Sequence, residues 1–290
     1  MSDKTSCSDN EVYPRFCELA SNDERVFATF RRDPVYRGVV ETVPREAGHD
    51  YLNKMLLQSK ALSIYFKEFK KNDLLGNPQV FTYRYGFLKL KKIAFSPTTL
   101  RYIKVLADLQ TLFDSLNHMR IVEIGGGYGG QCAIISRVFK HALYTIVDLE
   151  PCLKLTRRYL ESLGIHGVSY VTMRELDETY TKGGFDLVIS NYAFSELSRY
   201  VQDEYISKII SGASRGYFLC NFSTHTWEKE QYSEYEMMNL RPDSLVFKKY
   251  PPLSNIDIQC NISLIVFGAQ LPKGWKHENS SSQATPKVSL

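Results

Sequence analysis

The sequence predicts an α/β fold, with a mostly parallel seven-stranded sheet behind a mainly helical N-terminal annex. Three observations carry this. From Arg120 onward, short β-branched runs alternate with helical stretches, the pattern of a parallel sheet covered on both faces. The last two extended runs, Leu245–Lys248 and Ile262–Phe267, can close that sheet as an antiparallel hairpin. Before about residue 96 the apolar residues instead fall at helical spacing and the texture is charged.

In chain order, Tyr51–Lys71 presents Leu52, Met55, Leu56, Leu62, Tyr65, Phe66 and Phe69 along one face, which predicts an amphipathic helix. Gly76 and Pro78 break that period, so Asn72–Gly86 reads as a turn leading into an aromatic-rich extended segment. Ser96 can cap a helix whose first residue is Pro97, with Leu100, Ile103, Val105 and Leu106 following. Strand Arg120–Ile124, a helix from about Gly130 to Lys140, strand Leu143–Val147, helix Cys152–Leu163 and strand Val168–Met173 come next. Strand Phe185–Ser190, a helix from about Tyr200 to Ile210 and strand Gly216–Asn221 complete the series. The expected division is an annex or lid over 1–95, a principal domain over 96–270 and a polar, disordered tail over 271–290.

Composition excludes several classes. With 43% hydrophobic and 23% charged residues, the 290-residue chain is neither wholly disordered nor fibrous. No apolar run approaches the roughly 18–20 residues needed to span a bilayer, so no transmembrane segment is expected. The polar start of the chain has no apolar signal core, and the six cysteines form no CxxC pair. Both point to reduced thiols and a cytoplasmic protein. A net charge of +4 is too small to imply nucleic acid as partner, and the oligomeric state stays open.

The most informative string is IVEIGGGYGGQ, Ile121 to Gln131, which ends a strand and opens a helix. Glycines there permit a tight turn and close backbone approach to a ligand, beside the unpaired N–H groups of a helix start. At the end of the next strand, Asp148 can accept both hydroxyl hydrogens of a ribose. Gly125, Gly127 and Gly130 satisfy GxGxxG, the dinucleotide fingerprint, whereas Glu123, Gly125, Gly127 and Gly129 satisfy ExGxGxG, which resembles the first motif of class I S-adenosyl-L-methionine-dependent methyltransferases. Glu123 has no role in holding a pyrophosphate, and the motif starts late in the chain. Phe185–Leu197 also reads as an Asp-led strand running into an active-site loop. These favour a methyltransferase binding S-adenosyl-L-methionine (SAM) over a nicotinamide-dependent oxidoreductase. A non-catalytic protein that keeps such a fold is a third reading.

NDLLGNP (Asn72–Pro78), SPTTLRY (Ser96–Tyr102), VEIGGGYGGQ, IVDLE (Ile146–Glu150) and SNYAFSELSR (Ser190–Arg199) together resemble the sugar O-methyltransferase family, over about residues 50 to 225. The resemblance implies a Rossmann-like class I SAM-dependent methyltransferase fold, SAM as donor and a sugar or glycan hydroxyl as acceptor.

SAM carries its own activation, so the protein must chiefly bind, orient and dehydrate the reactants, with a general base to help a weakly nucleophilic hydroxyl. Candidate bases follow the fourth and fifth strands: Glu196, which could instead pair with Arg199, and His225. Glu123, Gly125, Gly127, Tyr128, Gly129, Asp148 and Asn191 are the expected cofactor residues, joined by Asp177, with neighbouring Glu175 as the alternative adenine contact. Tyr192, Ser195, Arg199 and Trp227 are the expected acceptor residues. Without an acidic pair after the fourth strand, no metal is expected.

Between Lys60 and Lys104 stand ten Lys/Arg against only Glu68 and Asp73, interleaved with Tyr83, Tyr85 and Phe87. A solvated basic face is one reading. Recognition of an anionic or carrier-linked acceptor, or of a membrane surface bearing one, is another; RNA is the lesser option.

Overall fold

The computed structural model describes residues 11–177, 184–222, 231–248 and 262–271. Strands β1 (Phe81–Tyr85) and β2 (Lys91–Phe95) form an antiparallel hairpin in the annex. The main sheet contains β3 (Arg120–Ile124), β4 (Leu143–Val147), β5 (Val168–Val171), β6 (Leu187–Asn191), β7 (Arg215–Asn221), β8 (Leu245–Lys248) and β9 (Ile262–Phe267). Its order is β5-β4-β3-β6-β7-β9-β8. Neighbours from β5 to β7 run parallel, while β9 is antiparallel to both β7 and β8. The result is a Rossmann-like α/β fold with a mostly parallel seven-stranded sheet, and the closing hairpin stands where the sequence places it.

Helices α1 (Val12–Asn22), α2 (Glu24–Thr29), α3 (Pro34–Arg37), α4 (Arg45–Gln58) and α5 (Phe66–Phe69) belong to the annex. Helices α6 (Pro97–Phe113), α7 (Gly130–Ser136) and α8 (Glu150–Ser162) flank the sheet. The single helix expected over Tyr51–Lys71 is instead α4, a 3₁₀ stretch Lys60–Tyr65, and α5. Ser59 leaves the helical region at φ −145°, where Gln58 and Ser59 donate hydrogen bonds to Thr111 and Gln110 of α6. Leu62, Phe66 and Phe69 remain buried beyond the break, so the apolar period runs on while the helix does not.

Alternation along β3 divides the interior. Ile121 joins a large cluster that runs from Tyr13 in α1 to Val266 in β9, whereas Val122 and Ile124 face a second cluster with Val188, Phe218 and Ile265. The annex therefore shares its core with one face of the sheet.

The motifs NDLLGNP and SPTTLRY form a buried polar lock between annex and α6. Ser96 caps α6 by accepting from Thr99 N at 3.1 Å, and its hydroxyl donates to Asp73 Oδ1 at 2.7 Å. The Arg31 guanidinium reaches Glu41, Asp73, the Asn72 carbonyl and Ser96. Tyr159 of α8 donates to the same Asn72 carbonyl at 2.6 Å. A buried cation is tolerable only when so completely partnered.

Candidate functional site

The chain winds outward from β3 to β5 and then returns to β6, so connections leave the carboxyl ends of β3 and β6 in opposite directions. A crevice opens at such a switch point. Residues 125–129 fill its β3 side. Gly125, Gly127 and Gly129 all stand in the left-handed region, at φ 75°, 55° and 85°. Side chains are excluded at the first and third: a Cβ on Gly125 would overlap Ala193, and one on Gly129 would press on Leu160 and Thr156. The Gly127 carbonyl accepts from the Thr156 hydroxyl at 2.7 Å, which ties the turn to α8.

Asp148, at the end of β4, turns its carboxylate toward this bend and accepts from the N–H groups of Leu149, Gly127 and Gly126. Burial raises its pKa to about 6, and those three donors hold it from going higher. Glu123 lies one layer deeper. Its Oε2 accepts from the Tyr144 hydroxyl at 2.8 Å, and burial lifts its pKa to about 8 against the effect of that hydrogen bond. The acidic residue of ExGxGxG thus braces β3 against β4 beneath the turn.

Across the crevice, Asn191 ends β6 with both polar atoms of its side chain buried and, among the described residues, unpartnered. Buried amides are rarely left so, and the pair marks a place for a ligand's donor and acceptor. Tyr192 follows at φ 75°. Its side chain hydrogen-bonds that of Tyr51 from α4, and its ring lies 5.4 Å from the Arg101 guanidinium carbon. Arg101 is only 7% exposed, its Nε lacks a partner among the described residues, and its guanidinium lies among Tyr51, Tyr192 and Tyr102, the last of which it hydrogen-bonds. Among the described residues no carboxylate pairs with it. The signal for this cation was hidden in a helix pattern, where it counted only as basic charge.

The expected site residues separate into three groups. Gly125, Gly127, Gly129, Asp148 and Asn191 converge on the crevice, with Tyr192 and Ala193 at its rim. Tyr128 does not offer its side chain there: the ring is fully buried against Phe30, Tyr36, Tyr102 and Tyr159, with Arg31 4.4 Å from its centroid. Only its backbone belongs to the turn. Ser195 is likewise committed, donating to the Tyr192 carbonyl at 2.8 Å and accepting from Asn221 N at 3.0 Å. Its buried hydroxyl shapes the loop by joining Tyr192 to the end of β7.

Glu196 is half-buried, and burial pushes its pKa to about 7. Arg199 pairs with Glu236 at 2.8 Å and sits over the Tyr232 ring, so the Glu196–Arg199 pairing is not formed. After β5, Glu175 closes a local turn by accepting from Thr172 N and its hydroxyl, while Asp177 is exposed. His225 and Trp227 lie outside the described residues, as does the tail from 272 on. Among the described residues no group of His, Cys, Asp and Glu is arranged to hold a metal ion, and no helix is long and apolar enough to cross a membrane.

No family model matches the chain, and no curated protein matches it. Among solved structures it is similar to an rRNA methylase from Streptococcus thermophilus, at 18% identity over 59% of this chain and 96% of that one, TM-score 0.42. Magnesium protoporphyrin IX methyltransferase from Synechocystis PCC 6803 with bound SAM matches at 14% identity over 74% and 96%, TM-score 0.44. The N-methyltransferase NodS from Bradyrhizobium japonicum WM9, in complex with S-adenosyl-L-homocysteine, matches at 14% over 58% and 84%, TM-score 0.42. At these scores the likeness adds nothing to the sheet order.

Proposed function

We propose that the protein is a SAM-dependent O-methyltransferase acting on a hydroxyl of a sugar or glycan. The observation that supports this most is the meeting of the glycine bend, the Asp148 carboxylate and the orphaned Asn191 amide at one crevice. The residues present fit the cofactor. Asp148 would hold the ribose diol, the bend would lie against the adenosine end, and Asn191 would take polar groups of the amino-acid end. Asp177 stays a candidate for adenine. SAM supplies an electrophilic methyl group that needs no further activation.

What this chain contributes is placement, dryness and a base. Val40, Tyr51 and Arg101 bring annex and α6 over the rim at Gly127 and Tyr192, so the annex is suited to act as a lid. Glu196, titrating near neutrality in the turn that follows Tyr192, is suited to take the acceptor's proton, with His225 the alternative. Arg199 and Trp227 remain proposed acceptor contacts, and Tyr192 offers a ring face for a sugar. Such a reaction needs no metal.

The test is calorimetry of the purified protein with S-adenosyl-L-homocysteine and with NAD. Binding of the first alone is expected, and binding of the second alone would replace this reading with an oxidoreductase. Labelled SAM offered with sugar nucleotides, lipid-linked glycans, free oligosaccharides and RNA then tests the acceptor. Label in RNA alone would refute the sugar.

A further inference from the structure

The β1–β2 hairpin carries a surface that the cofactor crevice does not use. Its base is firmly seated: Tyr83, Ile93 and Phe95 are buried, and the Phe66 ring lies 5.7 Å from Phe95 and 5.8 Å from Tyr85. Its tip is the opposite. Phe87, Leu88 and Leu90 are 84%, 74% and 72% exposed, three large apolar groups within four residues with almost no protein around them. Gly86, Leu88 and Lys89 stand at φ 78°, 50° and 54°. For leucine and lysine that region is unfavourable, so backbone strain is spent on displaying this tip.

The charge around it is equally one-sided. Arg84 and Lys92 are direct cross-strand partners on the exposed face, a placement that repels. Lys91 completes a collar at the start of β2, and Lys89 stands within the tip, both exposed. From Leu74 to Ala107 the chain contains no Asp or Glu at all, and among the described residues no ion pair engages Arg84, Lys89, Lys91 or Lys92. An apolar apex above a cationic collar on a rigid stem matches the cross-section of an anionic bilayer surface, acyl boundary below phosphate. A nucleic acid would use the collar and leave the three apolar side chains in water.

We propose that this hairpin docks the protein on anionic lipid membranes, with Phe87, Leu88 and Leu90 entering the interface and Arg84, Lys89, Lys91 and Lys92 meeting lipid phosphates. Co-sedimentation of the full chain with phosphatidylcholine vesicles, with and without phosphatidylserine, tests it. Binding is expected only with phosphatidylserine, weakening as salt rises. The triple variant Phe87→Ser, Leu88→Ser, Leu90→Ser and the charge reversal Lys89→Glu, Lys91→Glu, Lys92→Glu should each lower partitioning by roughly tenfold or more. Because these side chains are exposed, melting temperature and S-adenosyl-L-homocysteine affinity should stay as in wild type, whichever acceptor the crevice serves. No binding to phosphatidylserine vesicles, equal binding to both vesicle types, or wild-type binding by the serine variant would overturn the proposal. So would capture by RNA without capture by vesicles.

Discussion

Gly125 and Ala193 face each other across the crevice with no space for another carbon, since a Cβ on Gly125 would overlap that of Ala193. The bend after β3 and the loop after β6 are therefore set against each other, and Gly125 also needs its φ of 75°. Gly125→Ala should combine strain with a steric push, weakening S-adenosyl-L-homocysteine binding by roughly 10- to 100-fold in calorimetry. Gly212→Ala serves as the control, because its nearest neighbour atom is 3.9 Å away and its φ is ordinary. Equal affinity for both variants would remove the bend from the cofactor site.

Asp148 gives a pH signature. Its pKa is raised by burial to about 6, so the carboxylate that would accept ribose hydroxyls is protonated as pH falls through that value. Wild-type affinity for S-adenosyl-L-homocysteine should hold from pH 8 to 7 and decline below about 6. Asp148→Asn should bind roughly 30- to 100-fold more weakly at pH 8, as expected for charge-assisted hydrogen bonds worth about 2–3 kcal/mol, and show a flatter profile. A variant that binds as tightly as wild type would show that the ribose lies elsewhere.

The sheet was readable because strands such as Leu143–Val147 are short β-branched runs and each needs burial on both faces. Gly125, Gly127 and Gly129 were readable because a left-handed turn admits little else. Side-chain direction was not. Ser195 looked like an acceptor residue, yet its hydroxyl is occupied by Tyr192 and Asn221, partners whose proximity depends on how the loop folds. Tyr128 sits inside the cofactor motif but points into the annex, which no local spacing encodes. Arg101 reads as surface charge on a basic stretch and is in fact a buried cation enclosed by tyrosines, while Arg31, which belongs to no sequence motif, is a buried cation fully paired.

Glu123 makes stability fall with pH. Its folded pKa of about 8 lies above the ordinary carboxylate value, so the folded state holds a proton that the unfolded chain releases. The resulting stabilisation is complete below the ordinary value and is lost as pH rises toward about 8, and Asp148 adds a smaller loss of the same sign up to about 6. Melting temperature without ligand should drop between pH 5 and 8.5. Glu123→Gln keeps a polar partner for Tyr144 without the charge. It should flatten that drop, gaining about 2–4 kcal/mol relative to wild type at the upper end. A melting temperature that rises over this range, or parallel curves for the two proteins, would mean that Glu123 is ionised in the folded state.

Glu196, in the helical turn Ala193–Glu196 that follows Tyr192, titrates at about 7 because burial disfavours its charge. A general base must be ionised, so kcat with the acceptor returned by the screen should climb as pH passes 7 and then level off. Glu196→Gln should cut kcat by roughly 10²- to 10³-fold at pH 8 and abolish that inflection. S-adenosyl-L-homocysteine affinity should change less than about twofold, as a base that acts on the acceptor alone requires. A proportional loss of cofactor affinity would identify Glu196 as part of the cofactor wall. A retained rate with an unchanged inflection would assign the proton to another group, and the same assay on His225→Ala would then show whether that group is the histidine.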